Sequence, residues 1–144
     1  MIVGSSGYGG ELDQQAESLA ARNPNVRWLG HVANDDRLHS LWQHAGAYFH
    51  GHSVGGTNPA LVQAMALGAP TVARDTIYNR EVLGHDGVYL DPSPECIAEG
   101  IQSVLSNEAL QDRLSSSAES RARDTFTWTL VCNRYEDALV NLLR

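Results

Sequence analysis

The chain has 144 residues, 42% of them hydrophobic and 19% charged, which suits one folded domain and excludes a disordered polar chain. Its formal net charge is -7 and all ten basic residues are Arg, with no Lys, which excludes a nonspecific nucleic-acid binder and a polybasic membrane-docking surface. No apolar run approaches the roughly 18 residues of a transmembrane helix, and Met1–Gly10 carries no signal-peptide pattern. Cys96 and Cys132 lack a metal-ligand spacing and read as plain thiols of a reducing cytoplasm.

In chain order, Met1–Val3 is a short apolar run that ends at Gly4, and Ser5–Gly10 is a Gly/Ser-rich loop. Glu11–Arg22 has helical periodicity through Leu12, Ala16, Leu19 and Ala20, and Asn23-Pro24-Asn25 stops it. Val26–Leu29 reads as a strand, Asp35–His44 as a short helix, Ala47–Phe49 as a strand and Pro59–Leu67 as a helix. Thr71–Ala73 is a further strand, Tyr78–Leu83 a helical turn and Val88–Leu90 the last strand. Helices over Pro94–Leu105, Leu110–Phe126 and Thr129–Leu143 complete the chain. About five short strands separated by helices predict an α/β fold with a Rossmann-like parallel sheet and helices on both faces.

Ligands of such sheets bind beyond the C-terminal strand ends. The loop His50-Gly51-His52-Ser53-Val54-Gly55-Gly56-Thr57-Asn58-Pro59 is the most informative. Asn58 is a strong N-cap and Pro59 suits the first helical position, so a helix starts there. Gly55 and Gly56 let backbone approach a ligand, and the helix N-terminus favours a phosphate or diphosphate; a tight turn into a capped helix is the plain alternative. For a metal, His50 and His52 need a third ligand, which only Asp75 or Glu81 could supply. They read as hydrogen-bond donors to a substrate or as satisfied structural histidines. Arg74 can clamp phosphate or, like Arg80, pair with Asp75 or Glu81, and Gln63 can reach a ligand hydroxyl or stand in solvent. The loop Gly4–Gly10 has neither the dinucleotide fingerprint nor a Walker A lysine, and reads as a flexible strand–helix turn or as a loop that faces a ligand. No nucleophile elbow or CxxC supports covalent or redox chemistry.

The stretch Gly55–Ala73, with Ala64-Met65-Ala66-Leu67-Gly68-Ala69-Pro70 at its centre, resembles the E-G-x-G-x-x-x-x-E-A-M-A-x-G-x-P-V-V-A signature of retaining family-four glycosyltransferases of the GT-B fold. Val3-Gly4, Val26–Gly30, Leu38–Ala45, Arg80-Glu81-Val82 and Phe126-Thr127-Trp128 with Tyr135 resemble other family segments in the same order. His50–Pro59 is similar to a subgroup that includes bacterial rhamnosyltransferases of surface-polysaccharide synthesis. The resemblance implies sugar transfer from a nucleotide-diphosphate sugar with retention and without a metal or other cofactor. It makes the chain the C-terminal donor-binding half of a GT-B enzyme.

Carried over by position, Gly55, Gly56, Thr57 and Asn58 face the donor sugar and diphosphate, Gln63 the ribose, and His31 and Val32 the base. His52 and Arg74 join them as donor contacts from the reading of the loops. Both carboxylates of the family's E-x7-E pair are absent, replaced by Gly55 and Gln63, and Ser53 stands where the subgroup tends to have an acid. The family's first βα unit of this domain, with its Arg and Lys for the diphosphate, and the N-terminal acceptor domain are expected upstream of Met1. The chain alone is then expected to be inactive, either as a fragment that partners that N-terminal domain or as a degenerate stand-alone domain. Relatives often act at the inner membrane face on lipid-linked acceptors, which implies a cytoplasmic enzyme in peripheral contact with the membrane. The alternatives are a sugar-nucleotide epimerase-like GT-B relative, which needs acid–base carboxylates, and a noncatalytic domain that binds a sugar nucleotide or a protein.

Overall fold

A computed structural model describes residues 1–143, which divide into two compact units, 1–40 and 41–143. In the first unit, α1 spans Glu11–Arg22 as predicted, and α2, Asp35–Gln43, runs across the division. The two strands predicted in this unit shrink to one parallel bridge between Ile2 and Trp28. Three backbone bonds hold it: Ile2 N–H to Arg27 O at 2.8 Å, Leu29 N–H to Ile2 O at 3.0 Å, and Gly4 N–H to Gly30 O at 2.8 Å. The ladder stops there because Gly4, at φ +121°, leaves the extended region, and because Met1, Ile2 and Val3 are exposed, so little burial supports more pairing.

The second unit contains a three-stranded parallel sheet, β1 (Tyr48–His50), β2 (Thr71–Arg74) and β3 (Val88–Leu90), in the order β1-β2-β3. Phe49 pairs with Val72 and Val72 with Val88; His50 pairs with Ala73 and Ala73 with Tyr89. Successive side chains point to opposite faces, so the register builds two cores. One gathers Ala73, Tyr48 and Tyr89 with Leu61 and Met65 of α3 (Pro59–Ala66), Val82 and Leu83 of α4 (Ile77–Leu83), and Ala118 and Ala122 of α6 (Glu108–Thr125). The other gathers Phe49, Val72, Val88 and Leu90 with Val104 of α5 (Pro94–Leu105) and Leu114 of α6. Burial on both faces explains why the strands read as short apolar runs without polar alternation. The sheet is therefore open, parallel and flanked by helices, as the sequence predicts.

Helix starts follow their caps closely. Asn58, Thr76, Ser93, Asn107 and Thr127 each accept a backbone N–H of the helix that follows. Asn107 places the start of α6 two residues before the predicted Leu110, and Thr76 starts α4 at Ile77. Gly100 lets α5 lie close on β3, since a Cβ there would stand 2.4 Å from a methyl of Leu90. The last helix, α7 (Trp128–Leu142), has no buried residue; Trp128 and Leu142 are each 82% exposed. No described helix is long and apolar enough to cross a membrane.

Candidate functional site

The site is built where β1 and β2 end. Residues 51–58 run from β1 to α3 and border a cavity of about 170 Å³, with Gly55, Gly56, Thr57, Asn58, Tyr78 and Asn79 on its wall. The N-terminus of α3 is well made: Asn58 Oδ1 accepts the Ala60 N–H at 3.0 Å, Pro59 follows, and no acid lies in the first turn. The free amides and dipole of that end present a partial positive charge to whatever occupies the loop. Gly55 sits at φ +119°, which L side chains rarely adopt, so this position requires glycine. A Cβ at Gly56 would meet nothing within 4 Å, so its surroundings are open.

His52 lines the cavity and is exposed. Its ring stacks on His50, with centroids 4.8 Å apart and planes 18° from parallel. His50 is 2% exposed at the C-terminal end of β1. Its Nδ1 shares a 3.0 Å hydrogen bond with the Tyr48 hydroxyl, and its Nε2 is buried with no partner. Burial first, and the neighbouring His52 second, push the His50 pKa down to about 4, so the ring is neutral at physiological pH. Burial likewise pushes Tyr48 up to about 12, leaving a neutral phenol beside it.

The sequence reading missed Asn79. It is 3% exposed, lies in α4 behind the Thr76 cap, and lines the cavity. Its Nδ2 donates to His52 O at 3.1 Å and to Arg74 O at 2.9 Å, tying the β1–α3 loop to the end of β2. An Asn just after a strand and a Thr cap was the available signal, but only the fold shows it buried.

The other predicted residues are distributed more widely. Gln63 is exposed on α3 and is not on the cavity wall. Arg74 is half-buried at the end of β2, touches the site through its carbonyl, and makes no ion pair among the described residues. His31 and Val32 lie in the first unit, outside the wall of this cavity. Asp75 and Arg80 form a two-point ion pair at 2.6 and 2.7 Å, and Arg80 also lies 4.5 Å over the Tyr89 ring. The Arg80 hydrogen bond holds the Asp75 carboxyl below the usual range. No group of three or more His, Cys, Asp or Glu among the described residues could hold a metal. Cys96 and Cys132 are both free and exposed.

Residues 1–121 match the family described as Glycosyl transferases group 1. The chain belongs to this family. A glycosyltransferase of Methanocaldococcus jannaschii named MJ1069 and called uncharacterized is 27% identical over 143 residues, which are 95% of this chain and 36% of that protein. The crystal structure of Anabaena Alr3699/HepE in complex with UDP superposes with a TM-score of 0.78 at 22% identity, over 96% of this chain and 40% of that one. The fold is thus that of a group 1, GT-B-like glycosyltransferase domain, and the chain spans well under half the length of either relative.

Proposed function

We propose that this chain is the donor-binding half of a retaining, family-four glycosyltransferase. The enzyme would move a sugar from a nucleotide-diphosphate sugar to a glycan or lipid-linked acceptor in bacterial polysaccharide synthesis. The rhamnosyltransferase-like subgroup is the best fit to the His-Gly-His and Gly-Gly-Thr-Asn-Pro stretch. The observation that carries the reading is the open cavity at the acid-free, Asn58-capped start of α3, floored by Gly55 and Gly56. A diphosphate leaving group suits that position, because amide N–H groups and the helix dipole stabilise developing negative charge without reorganising. His52 would donate to the sugar or phosphate, and Arg74 would add positive charge after a change of side-chain position. The ribose role of Gln63 and the base role of His31 and Val32 rest on the resemblance alone. The acceptor would be held by a second lobe, in keeping with the longer relatives, with the assembled enzyme peripheral to the inner membrane face.

Calorimetric or NMR titration with UDP, GDP and dTDP tests the reading. At least one should bind at millimolar concentration or better, and Gly56→Val should abolish that binding by filling the approach to the backbone. Failure of all three to bind would overturn the donor-domain assignment, and an unchanged affinity in Gly56→Val would move the site elsewhere.

A further inference from the structure

Asn79 has used one end of its amide and not the other. A primary amide has two N–H donors and one oxygen with two lone pairs. Two carbonyls, His52 O and Arg74 O, flank the same terminal atom, which identifies that atom as nitrogen and leaves both its protons engaged. Asn79 Oδ1 has no hydrogen-bond partner among the described residues. It is also absent from the buried polar atoms that lack a partner, of which His50 Nε2 is the single case among the described residues. Asn79 is 3% exposed and lines the cavity, so the side chain that carries this oxygen borders the open space of the site.

We propose that Asn79 Oδ1 accepts a hydrogen bond from a hydroxyl of the donor sugar, which makes Asn79 a sugar-selecting residue of the site. The inference rests on the donor-binding reading above. An amide oxygen with both its protons committed elsewhere can only accept. Ionised diphosphate oxygens also only accept, so they are disfavoured at Asn79 and favoured at the amides around Gly56 and the start of α3. The cavity is thereby polarised, with its donors at the glycine loop and its acceptor at α4. Its 170 Å³ gives room on the scale of one sugar ring, about six waters' worth, and not for a whole nucleotide sugar. The clamp makes the acceptor specific: with Nδ2 held by two carbonyls of fixed backbone, Oδ1 cannot swing to follow a hydroxyl of the wrong configuration. A buried acceptor left unpaired by such an epimer penalises it.

The test compares sugar nucleotides with their bare diphosphates, UDP-glucose against UDP and dTDP-rhamnose against dTDP, on the wild type and on Asn79→Ala. The wild type should bind one sugar nucleotide more tightly than its bare partner. Asn79→Ala should erase that preference, about three- to tenfold for one hydrogen bond, while bare-diphosphate affinity falls less. Equal loss for both members of the pair would reduce Asn79 to a loop clamp or a ribose contact and overturn the proposal. Absence of a preference in the wild type would overturn it as well. Failure of all four ligands to bind the wild type would instead break the donor-binding reading beneath it. Should the variant not fold, the side-chain amide resonances of Asn79 in the wild type decide. They should shift further with the preferred sugar nucleotide than with its bare partner, and identical shifts would overturn the assignment.

Discussion

Two glycine-rich loops lead into helices in this chain, and they differ in what fills them. In the first, residues 4–10, the Asp13 carboxylate of α1 turns back into the loop. There it accepts the Ser5 hydroxyl at 3.0 Å, the Ser6 N–H at 3.0 Å and the Ser6 hydroxyl. An anion from the chain itself thus takes the Ser5 and Ser6 donors, the Gly7 and Gly10 amides go to the two serine hydroxyls, and α1 follows Gly10 without a side-chain cap. In the second, residues 51–58, no acid lies in the first turn of α3, Asn58 provides the cap, and an open cavity stands where an anion would sit. Glycine content alone does not make a phosphate loop; what matters is whether the first turn brings its own carboxylate.

The second loop stays open only if it stands on a rigid base, and the largest expected effects come from breaking that base. Leu61, fully buried on α3, packs in the core with Met65, Ala118 and Ala122. Leu61→Ala should cost about 2–5 kcal/mol in urea unfolding, and a loss below about 1 kcal/mol would mean α3 is not the loop's anchor. Next is His50, held at a pKa of about 4 against 6.5 for an ordinary imidazole. Between those values the unfolded chain binds a proton that the folded chain refuses, so stability rises with pH across that window and is complete above it. The shift amounts to about 3 kcal/mol lost on acidification from pH 7 to pH 4. Urea unfolding across that range should show a steeper acid loss in the wild type than in His50→Asn, and parallel curves would exclude the buried imidazole as the cause.

Much of the second unit was legible in the sequence because its signals are local. Asn58-Pro59, Ser93-Pro94 and the glycine after α3 and α4 mark helix ends through chemistry that acts within one turn. The same locality misleads at residues 1–3 and 26–29, where apolar runs exist but burial does not support a ladder. Gln63 was placed correctly on its helix, yet its exposure depends on which face α3 turns to the core. Asn79 and Asp13 were missed for a common reason. Each is a polar residue in a first helical turn, an unremarkable place for Asn or Asp, and only the fold of the loop before it gives the side chain a buried role.

Asn58→Ala perturbs the open loop at its helix cap. It removes the acceptor for Ala60 N–H while leaving Pro59 and both glycines in place. The expected loss is about 1 kcal/mol of stability, read as a lower urea midpoint at unchanged slope. An unchanged midpoint would mean that the loop is ordered by Asn79 alone.

The smallest effect should come from the closed loop, and it reads the comparison most directly. Hydrogen bonds from the Ser6 hydroxyl, and then from the Ser6 amide, hold the Asp13 carboxyl below its usual range. A depressed carboxyl contributes stability that is present above the unfolded value and lost as pH falls through the folded one. Asp13→Asn keeps the size of the side chain but removes the charge and one acceptor, so the Ser5 and Ser6 donors must share what remains. Exchange of the Ser6 amide hydrogen at neutral pH should then quicken, while amides of α3 keep their protection. In the wild type the same Ser6 amide should lose protection on acidification below the ordinary carboxylate range. If Ser6 exchanges equally fast in both proteins, the carboxylate is not what fills the first loop, and the contrast with the second loop would have to rest on cap chemistry alone.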